Sequence, residues 1–233
     1  MLNRREASVA FAIVALGLVL AVAAPGFFAR DNLSDLFLAN LPVLIVALGM
    51  TLIILTGEID ISVGSVFAIA GVAAGLLARA GLPMPLVALS ACLVGAGLGS
   101  INGVLVAYVR IPSIVVTLAT MVALRDGLRW ATDGAWVQDL PPSFQWFGLS
   151  QAAYPFVAFL TAAVLTGLLA WGLRHLAAGR AVYATGSNRE AARLAGIHSA
   201  FVTCAVFMLA GAFTGLAALL NSVRFNQIPS NAG

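Results

Sequence analysis

Charge-free apolar stretches occupy residues 7–29, 36–57, 61–78, 80–109, 140–173 and 194–223, and the charged positions gather in the gaps between them. About 18 apolar residues in succession suffice for a helix to cross the hydrocarbon core of a bilayer. The runs are too long and too uniformly apolar for barrel strands, which alternate over about ten residues. Helices, which satisfy their own backbone polar groups in lipid, are therefore the spanning element. The pattern predicts seven: 8–28, 36–56, 61–78, 84–108, 112–129, 153–173 and 199–221, the fifth carrying Arg125, Asp126 and Arg129 in its last turns. The fold class expected is all-α, a polytopic transmembrane helix bundle. No hydrophilic linker or low-complexity tract interrupts the runs, so residues 1–233 are expected to form a single transmembrane domain. The first run is longer than a signal-peptide core and is followed by only a weak cleavage pattern, "AVAAPGFFARDN", which predicts a span that stays.

Composition sharpens this picture. The chain is 61% hydrophobic and 9% charged, more apolar surface than one soluble core buries. All 12 basic residues are arginine. Without lysine there is neither a GxxxxGK[ST] phosphate loop nor a Schiff-base amine, so ATP hydrolysis through such a loop is excluded for this chain alone. The formal charge of +3 gives no nucleic-acid signature. Arginines mark cytoplasmic loop ends. Arg4 and Arg5 predict a cytoplasmic N-terminus, and counting spans puts Arg110, Arg174, Arg180, Arg189 and Arg193 on that side and the last residues outside.

Cys92 and Cys204 lie in apolar runs without a CxxC or nearby ligands and read as buried structural thiols. His175 and His198 flank the polar segment without partners at ligand spacing and read as interfacial; no metal site or cofactor is expected. Three runs carry small-xxx-small spacing, Gly71–Gly75, Gly95–Gly99 and Gly211–Gly215, which lets helix backbones approach closely. The segment holding Trp130, Trp136 and Trp146 reads either as an interfacial aromatic belt or as a docking surface for a soluble partner.

Two segments carry candidate chemistry. In "LTGEIDISVGS", residues 58–63 alternate polar and apolar between two helical runs, which predicts an unwound break facing protein or water. Asp60 is then placed to cap the helix starting at 61. Glu58 has no capping position and is expected to face the aqueous path or lie near the cytoplasmic interface. Ser62, Gly64 and Asn102 join these two as candidates for the translocation path or the break. The second segment is residues 179–197, Gly179 followed by "RAVYATGSNREAARLAGI". Ser187 with Glu190 three residues on is a capping-box pattern, and Gly196 suits a left-handed helix stop, so residues 188–195 should be helical. Ala191, Leu194 and Ala195 share one face and Arg189 and Arg193 another. The helix reads as a handle for a partner protein or as an ordinary capped loop helix.

"EAARLAG" at 190–196 resembles the EAA loop of permeases of ATP-binding-cassette importers, and its surroundings resemble the monosaccharide branch. "LTGEIDISVGSVFAIAG" and "NGVLVAYVRIPSIVVTLATM" resemble two further blocks of that branch. "DGAWVQDLPPSF" and "NQIPSNAG" look most like permeases of the rhamnose or autoinducer-2 import systems. The resemblance implies a transport subunit, not an enzyme, for a sugar or sugar-like solute of the rhamnose, ribose or autoinducer-2 type. It implies a place in the bacterial inner membrane. Its implied partners are a cytoplasmic ATPase, a second permease subunit in a homo- or heterodimer, a periplasmic sugar-binding protein and the lipid bilayer, with no nucleic acid. It also implies that Ser187, Asn188, Glu190, Ala191, Ala192, Leu194 and Gly196 couple the chain to the ATPase. The family commonly has another residue where Glu58 stands, so no role is carried over to it. Family members continue with a Gly-rich block and further spans, so the chain is expected to be C-terminally incomplete relative to them. Two other classes compete: an ion-coupled secondary transporter using Glu58 and Asp60, and an intramembrane aspartyl protease, for which Asp60 is the one reasonable aspartate.

Overall fold

The computed structural model describes residues 4–24 and 26–229. The side chains of Arg4 and Arg5 and the last four residues of "NQIPSNAG" lie outside what it describes. The chain falls into two compact units, Met1–Asn40 and Leu41–Gly233. In the first unit α1 (Arg4–Ala23) presents apolar side chains all round from Val9 on, with Phe11, Ile13, Leu18 and Val22 all more than half exposed, as a helix surrounded by lipid should be. It stops at Ala23, short of the expected residue 28, where Gly26 at φ 97° turns the chain. Asn32 donates to the carbonyl of Phe27 at 2.6 Å. The next helix, α2 (Arg30–Leu55), starts six residues before the expected 36, with Asp31 in its first turn.

The second unit holds the rest of α2, then α3 (Val63–Arg79), α4 (Met84–Ala107), α5 (Ser113–Thr132), a short 3₁₀ turn at Gln145–Gly148, α6 (Tyr154–His175), α7 (Ala177–Ser187), α8 (Arg189–Leu194) and α9 (Ser199–Ser222). A helix stands at each of the seven expected places. Four of them, α2, α4, α6 and α9, are long and apolar enough to cross a membrane. At 17 residues α3 reaches only about 26 Å, against a hydrocarbon core of about 30 Å. In α1 the apolar part is likewise short, Ala7–Ala23, and α5 continues through Arg125, Asp126 and Arg129 to Thr132. An added helix, α7, fills a stretch that the apolar pattern leaves unassigned.

Helices α4 and α9 form the centre. A Cβ placed on Gly95 would strike the carbonyl oxygen of Gly211, and one on Gly211 would strike that of Gly95. The same holds for Gly99 against the carbonyl of Phe207 and for Gly215 against that of Ala91. Two of the three small-xxx-small motifs thus meet each other backbone to backbone, the packing that lipid, offering no hydrophobic drive, leaves to close van der Waals contact. The third, Gly71–Gly75 on α3, makes room for the side chains of Ser222 and Ile228. Around this pair Leu52, Ile53, Val106, Val116, Val182, Val206, Phe207 and Ala210 form an apolar core. By contrast α6 buries only Tyr154, Ala158 and Ala162 and leaves Phe156, Leu168 and Trp171 exposed. Cys92 and Cys204 are free and half-buried rather than fully buried, because they flank the glycine seam instead of filling it. Trp130 is exposed, whereas Trp146 packs edge-on against Tyr154 at 5.0 Å. His175 stacks on Trp171.

Candidate functional site

Between α2 and α3 the backbone leaves the helical path. Thr56 closes α2 by donating its hydroxyl to the carbonyl of Ile53 at 2.8 Å, and Gly57, at φ 79°, turns the chain out, with Glu58 N–H returning to Ile53 O at 3.1 Å. Residues 58–61 form no regular secondary structure. Such a segment in a membrane bundle must find partners in protein or water. It finds them on α5: Ile59 N–H donates to Ser113 Oγ at 3.2 Å, and Thr117 Oγ1 lies 3.5 Å from Ile59 O.

Asp60 does not cap α3 as its position suggests. The helix begins at Val63 with Ser62 as its N-cap, and no side chain bonds to the first-turn amides. Starting two residues late moves those amides out of the reach of Asp60, which instead accepts from Ser62 N–H at 2.8 Å and Ser62 Oγ–H at 2.6 Å, a local Asx turn. Ser62 Oγ in turn accepts from Asn102 Nδ2 at 2.8 Å, and Asn102 Oδ1 accepts from Thr120 Oγ1 at 2.7 Å. Asp60, Ser62 and Asn102 are all buried, so this chain of hydrogen bonds joins the break to α4 and α5 in a medium where an unpaired member would be costly. Gly64 lies in the first turn of α3 and adds no side chain.

At the end of α7, Gly186 sits so close to the carbonyl of Leu55 that a Cβ there would collide with it, and this seats the polar segment beside the break. Asn188, not Ser187, caps α8: its Oδ1 accepts from Ala191 N–H at 3.0 Å. Ser187 is the last residue of α7, and Glu190 pairs with Arg193 at 2.6 Å, so the capping box is replaced by a simple Asn cap. Gly196 takes the left-handed stop at φ 80°, with Ile197 N–H bonding Ala192 O at 2.9 Å. Leu194 is 80% exposed, and Ala191 and Ala195 are exposed beside it. Ala192 is 4% exposed, so it anchors α8 from within and presents nothing to a partner.

The contact that sequence spacing could not supply joins the two segments: Arg189, the first residue of α8, forms an ion pair with Glu58, 131 positions away in the chain. Both line a cleft of about 800 Å³ that also takes in Arg110, Glu190, Arg193 and His198. The α5 hydroxyls of Ser113, Thr117 and Thr120 also belong to the site without being singled out by the sequence; their i, i+4, i+7 spacing on the otherwise apolar first half of the helix, 113–124, is the available signal.

Comparison with known proteins adds relatives to this geometry. The chain is similar to the autoinducer 2 import system permease protein LsrC of Salmonella typhi, 34% identical over 236 residues, covering 99% of this chain and 67% of the relative. Its similarity to the same-named protein of Escherichia coli (strain K12 / DH10B) is 34% over 241 residues, covering 99% and 68%. No solved structure matches it. Residues 32–233 match the family described as the branched-chain amino acid transport system / permease component. That match and the apolar helices describe a multi-pass membrane protein of the permease kind that the EAARLAG segment resembles, and the chain belongs to this family of transport-system permease components.

Proposed function

We propose that the chain is the membrane permease subunit of an ATP-driven importer for a sugar or sugar-like solute, with autoinducer 2, named for its relatives, as the first candidate. It crosses the bacterial inner membrane seven times with its N-terminus in the cytoplasm, forms the translocation path with a second permease subunit, receives solute from a periplasmic binding protein and couples to an ATPase on another chain. One observation carries this reading: α8 is a capped two-turn helix anchored through Ala192, with the apolar side chain of Leu194 and the small Ala191 and Ala195 held out uncovered. An exposed apolar ridge on a rigid support is what a soluble partner's groove can take up. The ion-carrier alternative loses ground because both carboxylates are engaged, Glu58 by Arg189 and Asp60 by Ser62. The protease alternative has only Asp60 to build on, and that carboxylate is engaged by the N–H and Oγ–H of Ser62.

The test is capture of the ATPase by the permease and ATP-dependent uptake in proteoliposomes. Leu194→Glu and Ala191→Glu should weaken capture and abolish uptake while the permease still inserts. Uptake that persists without ATP and follows an ion gradient would overturn the reading.

A further inference from the structure

At the end of α9 opposite α8, about 36 Å away along a 24-residue helix, a second cavity of about 590 Å³ opens among α3, the end of α9 and the loop after α5. Three aromatic rings line it, Phe67, Trp136 and Phe225, the last two about half exposed. Asn221, Arg224 and Gln227 line it as well. An antiparallel bridge between Val137 and Ile228, with N–H···O distances of 2.9 and 3.0 Å, closes the wall, and Trp146 N–H donates to Val223 O at 2.9 Å behind it. The cavity is held by backbone bonds, and its volume lies in the range of small-molecule sites, which pair apolar walls with a few placed polar groups.

Arg224 is the feature that packing does not explain. Among the described residues its buried Nε has no hydrogen-bond partner, and its guanidinium lies 5.9 Å from the Phe225 ring centroid. Among the described residues no carboxylate pairs with it. The residue lines the cavity, and the terminal N–H groups of a guanidinium can donate to an oxygen arriving there. Flat rings offer apolar faces to the C–H side of a sugar ring, while the amides of Asn221 and Gln227 can both donate to and accept from hydroxyls. No acidic side chain lines the cavity among the described residues, so nothing there favours a cation.

We propose that this cavity is a low-affinity site for a neutral polyhydroxylated solute of monosaccharide size, held between Trp136 and Phe225 with a hydroxyl oxygen on Arg224. It rests on the permease reading above and adds to it a station inside the permease at the end away from the ATPase-facing helix. A transit site must release what it takes, so affinity in the millimolar range is expected, far below that of a dedicated binding protein.

The experiment uses the full-length permease in nanodiscs, without binding protein or ATPase, and measures equilibrium binding of radiolabelled D-ribose, L-rhamnose and D-glucose, with D-glucuronate as the charged control. Wild type should bind at least one neutral sugar saturably. Trp136→Ala and Arg224→Ala should weaken binding by about tenfold, the worth of one good hydrogen bond or ring contact, while Trp136→Phe and Arg224→Lys retain part of it. The exposed Gln227→Ala, which threatens no packing, should weaken it less, and Gly97→Ala, with nothing near its Cβ position, should not change it. If Trp136→Ala or Arg224→Ala melts early, the Gln227→Ala shift decides. Absence of saturable sugar binding, response to D-glucuronate alone, or unchanged affinity in the folded variants overturns the site. Reconstituted uptake with ATPase and binding protein separates the two claims: a wild type that binds sugar here but never transports it sinks the importer reading and leaves the site standing.

Discussion

Replacing Gly211 with alanine tests the claim that α4 and α9 are joined backbone to backbone. The added Cβ would fall on the carbonyl oxygen of Gly95 and within 3.2 Å of Gly99 Cα. Neither can rotate aside as a side chain could, so the helices must part. Overpacking of a tight interior costs about 1–3 kcal/mol. Against this runs the helix propensity of alanine over glycine, about 1 kcal/mol, which the substitution gains anywhere in a helix. Gly97, one face away on α4 with nothing within 4 Å of its Cβ position, isolates that gain. The two substitutions should therefore differ by roughly 1–3 kcal/mol, with Gly97→Ala neutral or stabilising and Gly211→Ala destabilising; at about 2–4 °C per kcal/mol for a chain of this size, the melting temperatures separate by several degrees. Thermal unfolding in detergent can be followed with a thiol-reactive fluorophore, because the only cysteines, Cys92 and Cys204, lie on α4 and α9 themselves. Equal melting temperatures for the two variants would refute the close crossing.

Two further outcomes follow from the break. Asn102→Ala removes both the donor to Ser62 and the acceptor of Thr120 and should cost about 1–3 kcal/mol in the same melting assay, with Asn102→Asp no substitute because it lacks the donor. For the Glu58–Arg189 pair, half exposed on the arginine side, a double-mutant cycle with Glu58→Gln and Arg189→Gln should give a coupling on the order of 1 kcal/mol, and Glu58→Arg with Arg189→Glu should recover more stability than either alone; additive single effects would mean that the pair does not form.

The elements that can be read from the sequence are those set by local pattern. Apolar pattern places a helix at all seven expected positions, and glycine spacing marks three helices whose backbones can approach closely, but that α4 and α9 meet each other is seen only in the fold. Boundaries slip where polar residues sit inside a helix: Asp31 and Asp35 lie within α2 although they interrupt its apolar run, and the same bias hides α7, whose Arg180, Tyr183 and Thr185 read as loop. A helix packed against the end of α2 through Gly186 does not need an apolar stripe of span length. Whether Ser187 or Asn188 caps α8 is decided by where α7 ends, one residue before the cap. That end is a tertiary fact, since both residue types cap well.

The candidate site shows the same division at longer range. That residues 58–61 leave the helix can be read in their alternation, but what satisfies the break cannot, because Ser113 and Thr117 reach Ile59, and Asn102 with Thr120 behind it reaches Ser62, only after α4 and α5 are docked. Glu58 is the sharpest case. In sequence it is an unassigned carboxylate in an apolar stretch, and the cost of burying a charge suggests only water or an interface. Its partner is the arginine that opens α8, so one ion pair answers both why a carboxylate stands beside the break and why the first turn of a short helix begins with arginine, a residue the helix dipole disfavours there. Each residue is unfavourable in its own segment and favourable across the two. Local pattern can register such a conflict, but only the fold can resolve it.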